Sequence, residues 1–197
     1  MRKNIVAIVQ ARMGASRLPG KMMLSLHGVP IVEWVYRRTQ KAKLASGTVF
    51  AIPNNKENNS LNEYLNQIGA KVYRGNEGDL VERFFMAAKY ANATHVVRIC
   101  ADNPFISGRE VDRLIKFYFE SKCDYAYNHV PKNNLYPNGL GAEIVSFQVL
   151  KKINDEAKDP DHREHVFNFI WGNPGQFKIL TFDPEDKRLA CPDIKLD

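Results

Sequence analysis

Residues 10–21 read QARMGASRLPGK and hold the densest set of chemically capable side chains in the sequence. Gln10 and Ala11 open the stretch, Arg12, Arg17 and Lys21 are cationic, and Ser16 adds a hydroxyl between Gly14 and Gly20. Glycines let a backbone approach a phosphate closely with its NH groups turned inward. Guanidiniums grip phosphate oxygens in pairs, and an ammonium acts as a point charge. Such a loop can cradle a triphosphate and neutralise charge that builds up during phosphoryl-group transfer. It is not a Walker A loop, because Met22 stands where a Ser or Thr would follow Gly-Lys, and it is not G-x-G-x-x-G. The plain alternative is a solvated basic loop. Its position tips the balance, because it follows an apolar run at residues 5–9, and ligands of open parallel sheets sit beyond the carboxyl ends of strands.

The elements that must position this loop follow from the pattern around it. Residues 5–9, 49–52 and 95–99 are short apolar runs, as expected of strands covered on both faces. Between them lie helical patterns. Residues 31–43 follow the stop signal Gly28-Val29-Pro30 and carry Ile31, Val35 and Arg38 at helical spacing. Residues 79–91 start on the N-cap candidate Asp79 and place Leu80, Val81, Phe84, Phe85 and Ala88 on one face. Residues 107–120 start on Ser107 and do the same with Val111, Leu114, Ile115 and Tyr118. Strands alternating with such helices predict an α/β fold on a mostly parallel sheet. The second half is less regular: strands at 125–128, 142–146 and 177–182, and helices at 147–156 and 163–171. It reads as an elaboration of the same sheet. Residues 54–59 form a polar turn, and residues 132–141 a loop rich in Asn, Gly and Pro.

The 197 residues suit one domain with a real core. Apolar residues at 44% and charged residues at 25% are those of a globular protein. The formal charge of +6 fits a polyanionic ligand. The 22 acidic residues are spread along the chain, which speaks against a nucleic-acid face. No apolar run spans a bilayer, so no membrane is expected. Gln10 and Arg12 close the first apolar run too early for a signal peptide. Three cysteines without C-x-x-C spacing predict a reducing, cytoplasmic setting and no structural zinc. The chain ends on IKLD inside what reads as the approach to a strand, so a missing C-terminal segment is expected.

Further candidates lie at the other predicted strand ends. Asp102 follows the run 95–99, where a hard oxygen ligand can hold Mg2+ against phosphate oxygens; an Asp turn is the alternative. Arg74 and Gly75 follow a short strand at 71–73, with Asp79 and Arg83 next. The alternative there is a turn, with Asp79 capping a helix and Arg83 pairing with it. Asn54 and Asn55 either face a base or form a turn. His162, Arg163, Glu164 and His165 are read as a charged set opening a helix. Arg163 suits a substrate carboxylate, and Glu164 favours the positive helix end. His162 and His165 share a face but lack a third soft ligand for zinc. His129 ends a predicted strand facing the same side.

QARMGASRLPGK, RICADNPFI (98–106), YPNGLGAEIVS (136–146) and REHV (163–166) occur in this order. Together they resemble the cytidylyltransferases that make CMP-activated sugars. The nearest branch is the spore coat polysaccharide biosynthesis F-type family; CMP-KDO and CMP-acylneuraminate synthetases are more distant. The resemblance implies a single Rossmann-like sandwich of the GT-A nucleotide-diphospho-sugar transferase type. It implies joining of CTP and a sugar or sugar acid to give a CMP-sugar and pyrophosphate, with Mg2+. It places Arg74, Gly75, Asp79 and Arg83 near the base and ribose, and Asp102 on the metal. It turns His129, Gly139, Gly141, Glu143, Arg163 and His165 toward the acceptor sugar; for Glu143 the alternative is a surface position in a hairpin turn. A homodimer is also implied. Relatives take a second metal carboxylate from a segment resembling T-V-D-T-P-E-D, and by that register Asp197 falls two places short of it. Two rivals remain: a GT-A glycosyltransferase, whose usual D-x-D is here Ala-Asp-Asn, and a nucleotide-binding protein without catalysis.

Overall fold

The chain, seen in a computed structural model that describes residues 3–14 and 18–196, begins with β1 (Ile5–Gln10). Five of its six residues are buried, so both faces of the strand are covered. A hairpin of β2 (Ser25–Leu26) and β3 (Val29–Pro30) follows. His27 and Gly28 turn it at φ 51° and 78°, the left-handed pair that a two-residue hairpin needs. Then come α1 (Ile31–Thr39), β4 (Gly47–Pro53), α2 (Asn59–Gln67), β5 (Lys71–Gly75), α3 (Leu80–Tyr90) and β6 (His95–Cys100). The second half holds α4 (Gly108–Ser121), β7 (Tyr125–Tyr127), β8 (Glu143–Ser146), α5 (Phe147–Glu156), α6 (Pro160–Glu164), α7 (Asn168–Gly172) and β9 (Ile179–Thr181).

Seven strands form one sheet in the order β5-β4-β1-β6-β8-β7-β9. All pairings are parallel except the two made by β8, which runs against its neighbours. Alternation along β1 divides the core. Ile5, Ala7 and Val9 pack with α1, α2 and α4 side chains such as Val35, Leu61 and Leu114. Val6 and Ile8 pack with Phe84 of α3, Leu150 of α5 and Ile170 of α7. Burying each such side chain is worth about 1.5–3 kcal/mol, enough to fix the strand's register against slippage. The expected α/β fold with a mostly parallel sheet is therefore present.

The N-termini of α1, α3, α4 and α5 match the sequence reading. Asp79, Ser107 and Ser146 accept from the backbone NH groups of Glu82, Glu110 and Val149. Several other boundaries differ. α1 stops at Thr39 instead of residue 43. The chain tightens into i to i+3 bonds there, and the Asp112 carboxylate on α4 accepts from the NH groups of Lys43 and Leu44. The predicted helix 163–171 is two short helices. Asp159 caps and Pro160 starts α6 three residues early, and His165 is extended, which sends Val166 and Phe167 into the core. The charged set 162–165 thus closes a helix, and Glu164 is not at a positive end. Strands 125–128, 142–146 and 177–182 shorten to β7, β8 and β9. The hairpin β2–β3 and helix α2 were not foreseen.

Candidate nucleotide-binding site

The carboxyl ends of β5, β4, β1 and β6 lie side by side, and the predicted residues collect along that rim. The loop after β1 is fastened at three places. Met13 NH donates to Asn58 Oδ1 at 2.9 Å, Gly20 NH donates to Met13 O at 3.0 Å, and Ala101 NH donates to Gln10 O at 3.0 Å. Gly20 adopts a left-handed turn conformation at φ 71°. Gly14 stands against the Glu57 carboxylate, 3.2 Å from where a Cβ would lie. Ala11 is buried beneath the loop, and Arg12 is exposed on it. Ser16 and Arg17 lie outside the described residues, as does Asp197.

Two candidates from separate loops meet. Lys21 Nζ donates to Asp102 Oδ2 at 2.7 Å, with both side chains only partly exposed. On the other flank, Arg74 Nη2 reaches the Asn55 carbonyl at 2.6 Å and Asn59 Oδ1 at 2.9 Å. Asn55 Oδ1 accepts from Asn58 NH and Nδ2, so Asn55 is a turn residue. Asn54 is exposed, with its NH on Gly75 O at 2.8 Å. A side chain at Gly75 would meet Tyr73 at 2.8 Å and Arg83 at 3.1 Å, so this glycine lets Arg83 lie over the strand end.

Arg83 is 4% exposed and donates to the carbonyls of Asn76 and Glu77. Burial, then the charge of Arg12, push its guanidinium down to about 10. The Nε atoms of Arg83 and Arg74 are buried without a hydrogen-bond partner among the described residues. Unpaired buried donors are costly, and here they lie on a rim with Arg12 close by. An anionic or acceptor-rich ligand would relieve both the crowding of charge and the unmet donors. Arg83 does not pair with Asp79 as the turn reading held. Asp79 instead receives Nε of Arg163 at 2.8 Å, and Nη2 as well, while Nη1 of Arg163 goes to Asn154 O at 2.9 Å. Arg163 is thereby turned toward α3 and α5, and His165 is exposed at the end of α6.

Glu143 lies in the sheet, neither on the surface nor in the turn. It is 3% exposed and takes Nη1 of Arg98 and the hydroxyl of Tyr125. His129 Nε2 stands 3.7 Å from its second oxygen. Burial raises the Glu143 carboxyl, but Arg98, His129 and Tyr125 outweigh it and hold the group below its ordinary value. Burial would lower Arg98, and Cys100 and Glu143 reverse that to hold it above its ordinary range. Arg98 Nε donates to Gln10 Oε1 at 2.9 Å. One polar row therefore crosses β1, β6, β8 and β7, from the first loop residue to His129. Sequence reading gave Arg98 and Tyr125 no role. The signal was a lone arginine inside the apolar strand HVVRIC. Gly139 turns at φ 90° and donates its NH to His129 O at 2.9 Å, and only a glycine fits at 141, because Asn128 packs against it.

A rim of cations at strand ends, with one carboxylate on the lysine, suits a nucleotide triphosphate, and known proteins agree. The cytidylyltransferase family description matches residues 6–196. An uncharacterised protein of Methanocaldococcus jannaschii is 34% identical over 183 residues, 93% of this chain and 73% of that protein. The spore coat polysaccharide biosynthesis protein SpsF of Bacillus subtilis is 26% identical over 198 residues, 98% of this chain and 80% of its own. A solved cytidylyltransferase from Leptospira borgpetersenii superposes with a TM-score of 0.88 at 25% identity, over 99% of this chain and 81% of that one. Since the match runs through every strand and loop that builds the rim, the chain belongs to the cytidylyltransferase family and is a CTP-dependent nucleotidyltransferase.

Proposed function

We propose that this chain joins CTP to a hydroxyl of a sugar or sugar acid in surface polysaccharide or glycan synthesis, as one nucleotidyltransferase domain. The meeting of Lys21 and Asp102 at 2.7 Å carries the reading, because it brings the phosphate loop against the end of β6. The acceptor oxygen attacks the α-phosphorus of CTP and pyrophosphate leaves. The protein's share is positioning and charge stabilisation. Arg12, Arg17 and Lys21 hold the β- and γ-phosphates and the departing pyrophosphate. Gln10, Gly14 and Ser16 shape the loop around them. Arg74, Gly75 and Arg83 take the base and ribose side, with Asn54 at its edge and Asp79 fixing the start of α3. His129, Gly139 and Glu143 belong to the acceptor side, where Glu143 orients His129. Arg163 fixes Asp79 on the base and ribose side, and His165 lies at the margin of the acceptor side.

Among the described residues no three His, Cys, Asp or Glu side chains gather to hold a metal. Asp102 stands at the strand end with Lys21 on one of its oxygens. This donor set fits a divalent ion, Mg2+ in our reading, that takes its other ligands from nucleotide phosphates and water. Asp102 would hold it, and the ion would neutralise phosphate charge. No helix of the described residues is long and apolar enough to cross a membrane. A cytoplasmic enzyme without a membrane or nucleic-acid partner belongs to the same proposal. So does a homodimer, for which light scattering should give twice the 22.5 kDa chain mass.

Calorimetric titration with CTP, UTP, ATP and GTP, each with Mg2+, tests the reading. CTP should bind selectively, and Arg12→Ala, Arg17→Ala and Lys21→Ala should each lose about 1.5–3 kcal/mol, the range for hydrogen bonds to charged groups. Equal affinity for all four nucleotides, or unchanged CTP binding in the three variants, would overturn it. A screen of sugars and sugar acids for pyrophosphate release then identifies the acceptor.

A further inference from the structure

Outside the residues assigned to the nucleotide rim, the end of α1 with the chain after it and the start of α4 line a cleft of about 410 Å³. Its lining is strongly basic: Arg38, Lys41 and Lys43 from one wall, Arg109 from the other, against the single carboxylate of Asp112. That carboxylate is already committed to the NH groups of Lys43 and Leu44, at 3.0 and 2.8 Å. Among the described residues Arg38, Lys41 and Lys43 have no ion pair, and Arg109 has only a long one, 3.8 Å to the exposed Glu185. Arg109 also sits in the first turn of α4, where a positive side chain is disfavoured by the helix dipole. Nothing in the fold of α1 or α4 requires four cations to converge here. The walls are fixed, since a side chain on Gly108 would come within 2.7 Å of the backbone at Lys41 and Ala42. The buried Ile106 forms part of the wall. None of the residues that line this cleft belongs to the rim that receives CTP.

We propose that this cleft is a second binding site, for a small phosphorylated anion carrying a phosphate or pyrophosphate group. Its volume falls in the range of small-ligand pockets, and its charge matches two or more phosphate oxygens gripped by guanidinium and ammonium groups. Pyrophosphate, with more charge in the same reach, binds more tightly there than inorganic phosphate. The site is independent of the nucleotide site and goes beyond the reading given for it.

Calorimetric titration of the full chain with inorganic pyrophosphate, without divalent ions, tests this in three proteins. Arg12→Ala/Lys21→Ala should keep one saturable pyrophosphate site per chain. Lys41→Ala/Arg109→Ala should weaken that site at least tenfold while CTP affinity stays within twofold of wild type. Thermal melts confirm that each variant is folded, and Lys43→Glu alone replaces the second double variant if it is not. Loss of all saturable pyrophosphate binding in Arg12→Ala/Lys21→Ala would overturn the proposal. So would retention, in Lys41→Ala/Arg109→Ala, of as many saturable pyrophosphate sites per chain as in wild type, each at its wild-type affinity, or inorganic phosphate binding as tightly as pyrophosphate.

Discussion

Arg163 and Arg83 are both arginines with sequence-level claims on substrate, and their surroundings assign them different work. Arg163 spends Nε and Nη2 on Asp79 and Nη1 on Asn154, joining α6 to the start of α3 and the end of α5. Both partners of the ion pair are largely shielded from water. Arg163→Ala should therefore cost about 1.5–3 kcal/mol of stability, measured by urea unfolding. An Asp79→Asn/Arg163→Ala double variant should lose less than the sum of the two single losses. Stability unchanged in Arg163→Ala would return this residue to direct contact with the acceptor. Arg83 differs in that its Nε is buried on the rim without a partner among the described residues. A lysine there keeps the charge but not the planar fork. Arg83→Lys should weaken CTP binding about tenfold or more by calorimetry, the equivalent of one charged hydrogen bond. Equal affinity would mean that Arg83 serves only the carbonyls of Asn76 and Glu77.

Elements differed in how far they could be read from the sequence. Helices α3, α4 and α5 carry caps and apolar stripes within a few residues of each other, so local pattern sufficed. Helix α2 has only Leu61 and Leu65 as buried anchors in a polar string, and no local signal separates that from a turn. Glu143 falls within the predicted strand 142–146, but its burial has no local signal, because its partner Arg98 lies 45 residues away. The Asp79–Arg163 bond spans 84 residues and was equally hidden. The strand ends, by contrast, are legible, because each candidate follows an apolar run and a parallel sheet gathers the carboxyl ends of its strands along one edge. Two predictions belong here. A Cβ at Gly141 would lie 2.2 Å from the carbonyl oxygen and side-chain oxygen of Asn128, so Gly141→Ala should cost at least about 1–3 kcal/mol on unfolding. At the start of β6, His95 lies edge-on to Tyr118 and Phe119 of α4, with Thr94 Oγ1 at 3.1 Å and Lys3 over the Phe119 ring. Burial, then Lys3, lower its pKa from 6.5. The unfolded chain thus binds the proton more readily, so this contribution to stability is whole above about pH 6.5 and is lost as pH falls through the folded value. Urea unfolding from pH 7.5 to 5 should show a slope that His95→Gln reduces; an identical slope would remove His95 as its source.

At the scale of the whole molecule, the question is whether the divalent ion is resident or arrives with the nucleotide. A resident ion needs a cage, and among the described residues none exists. The rim instead concentrates cations, with Lys21 on Asp102 and Arg12, Arg74 and Arg83 further along it, and the chain as a whole carries +6. A bare divalent ion approaching this face meets repulsion and one carboxylate that already holds an ammonium. CTP reverses the local sign. Its triphosphate supplies oxygen ligands, neutralises the arginines and can draw Lys21 from Asp102 onto phosphate, freeing a carboxylate oxygen. The proposed site therefore predicts an order of binding: nucleotide first or nucleotide and ion together. Titration with Mg2+ or Mn2+ alone should give no saturable heat at millimolar concentrations, and EDTA should leave the melting temperature unchanged. With CTP present the same ions should bind saturably. Asp102→Asn should abolish turnover while keeping CTP affinity within a few fold, because the cations remain in place. Tight metal binding by the nucleotide-free protein, or a melting temperature lowered by EDTA, would mean that the ion is built into the fold and that Asp102 does not act alone.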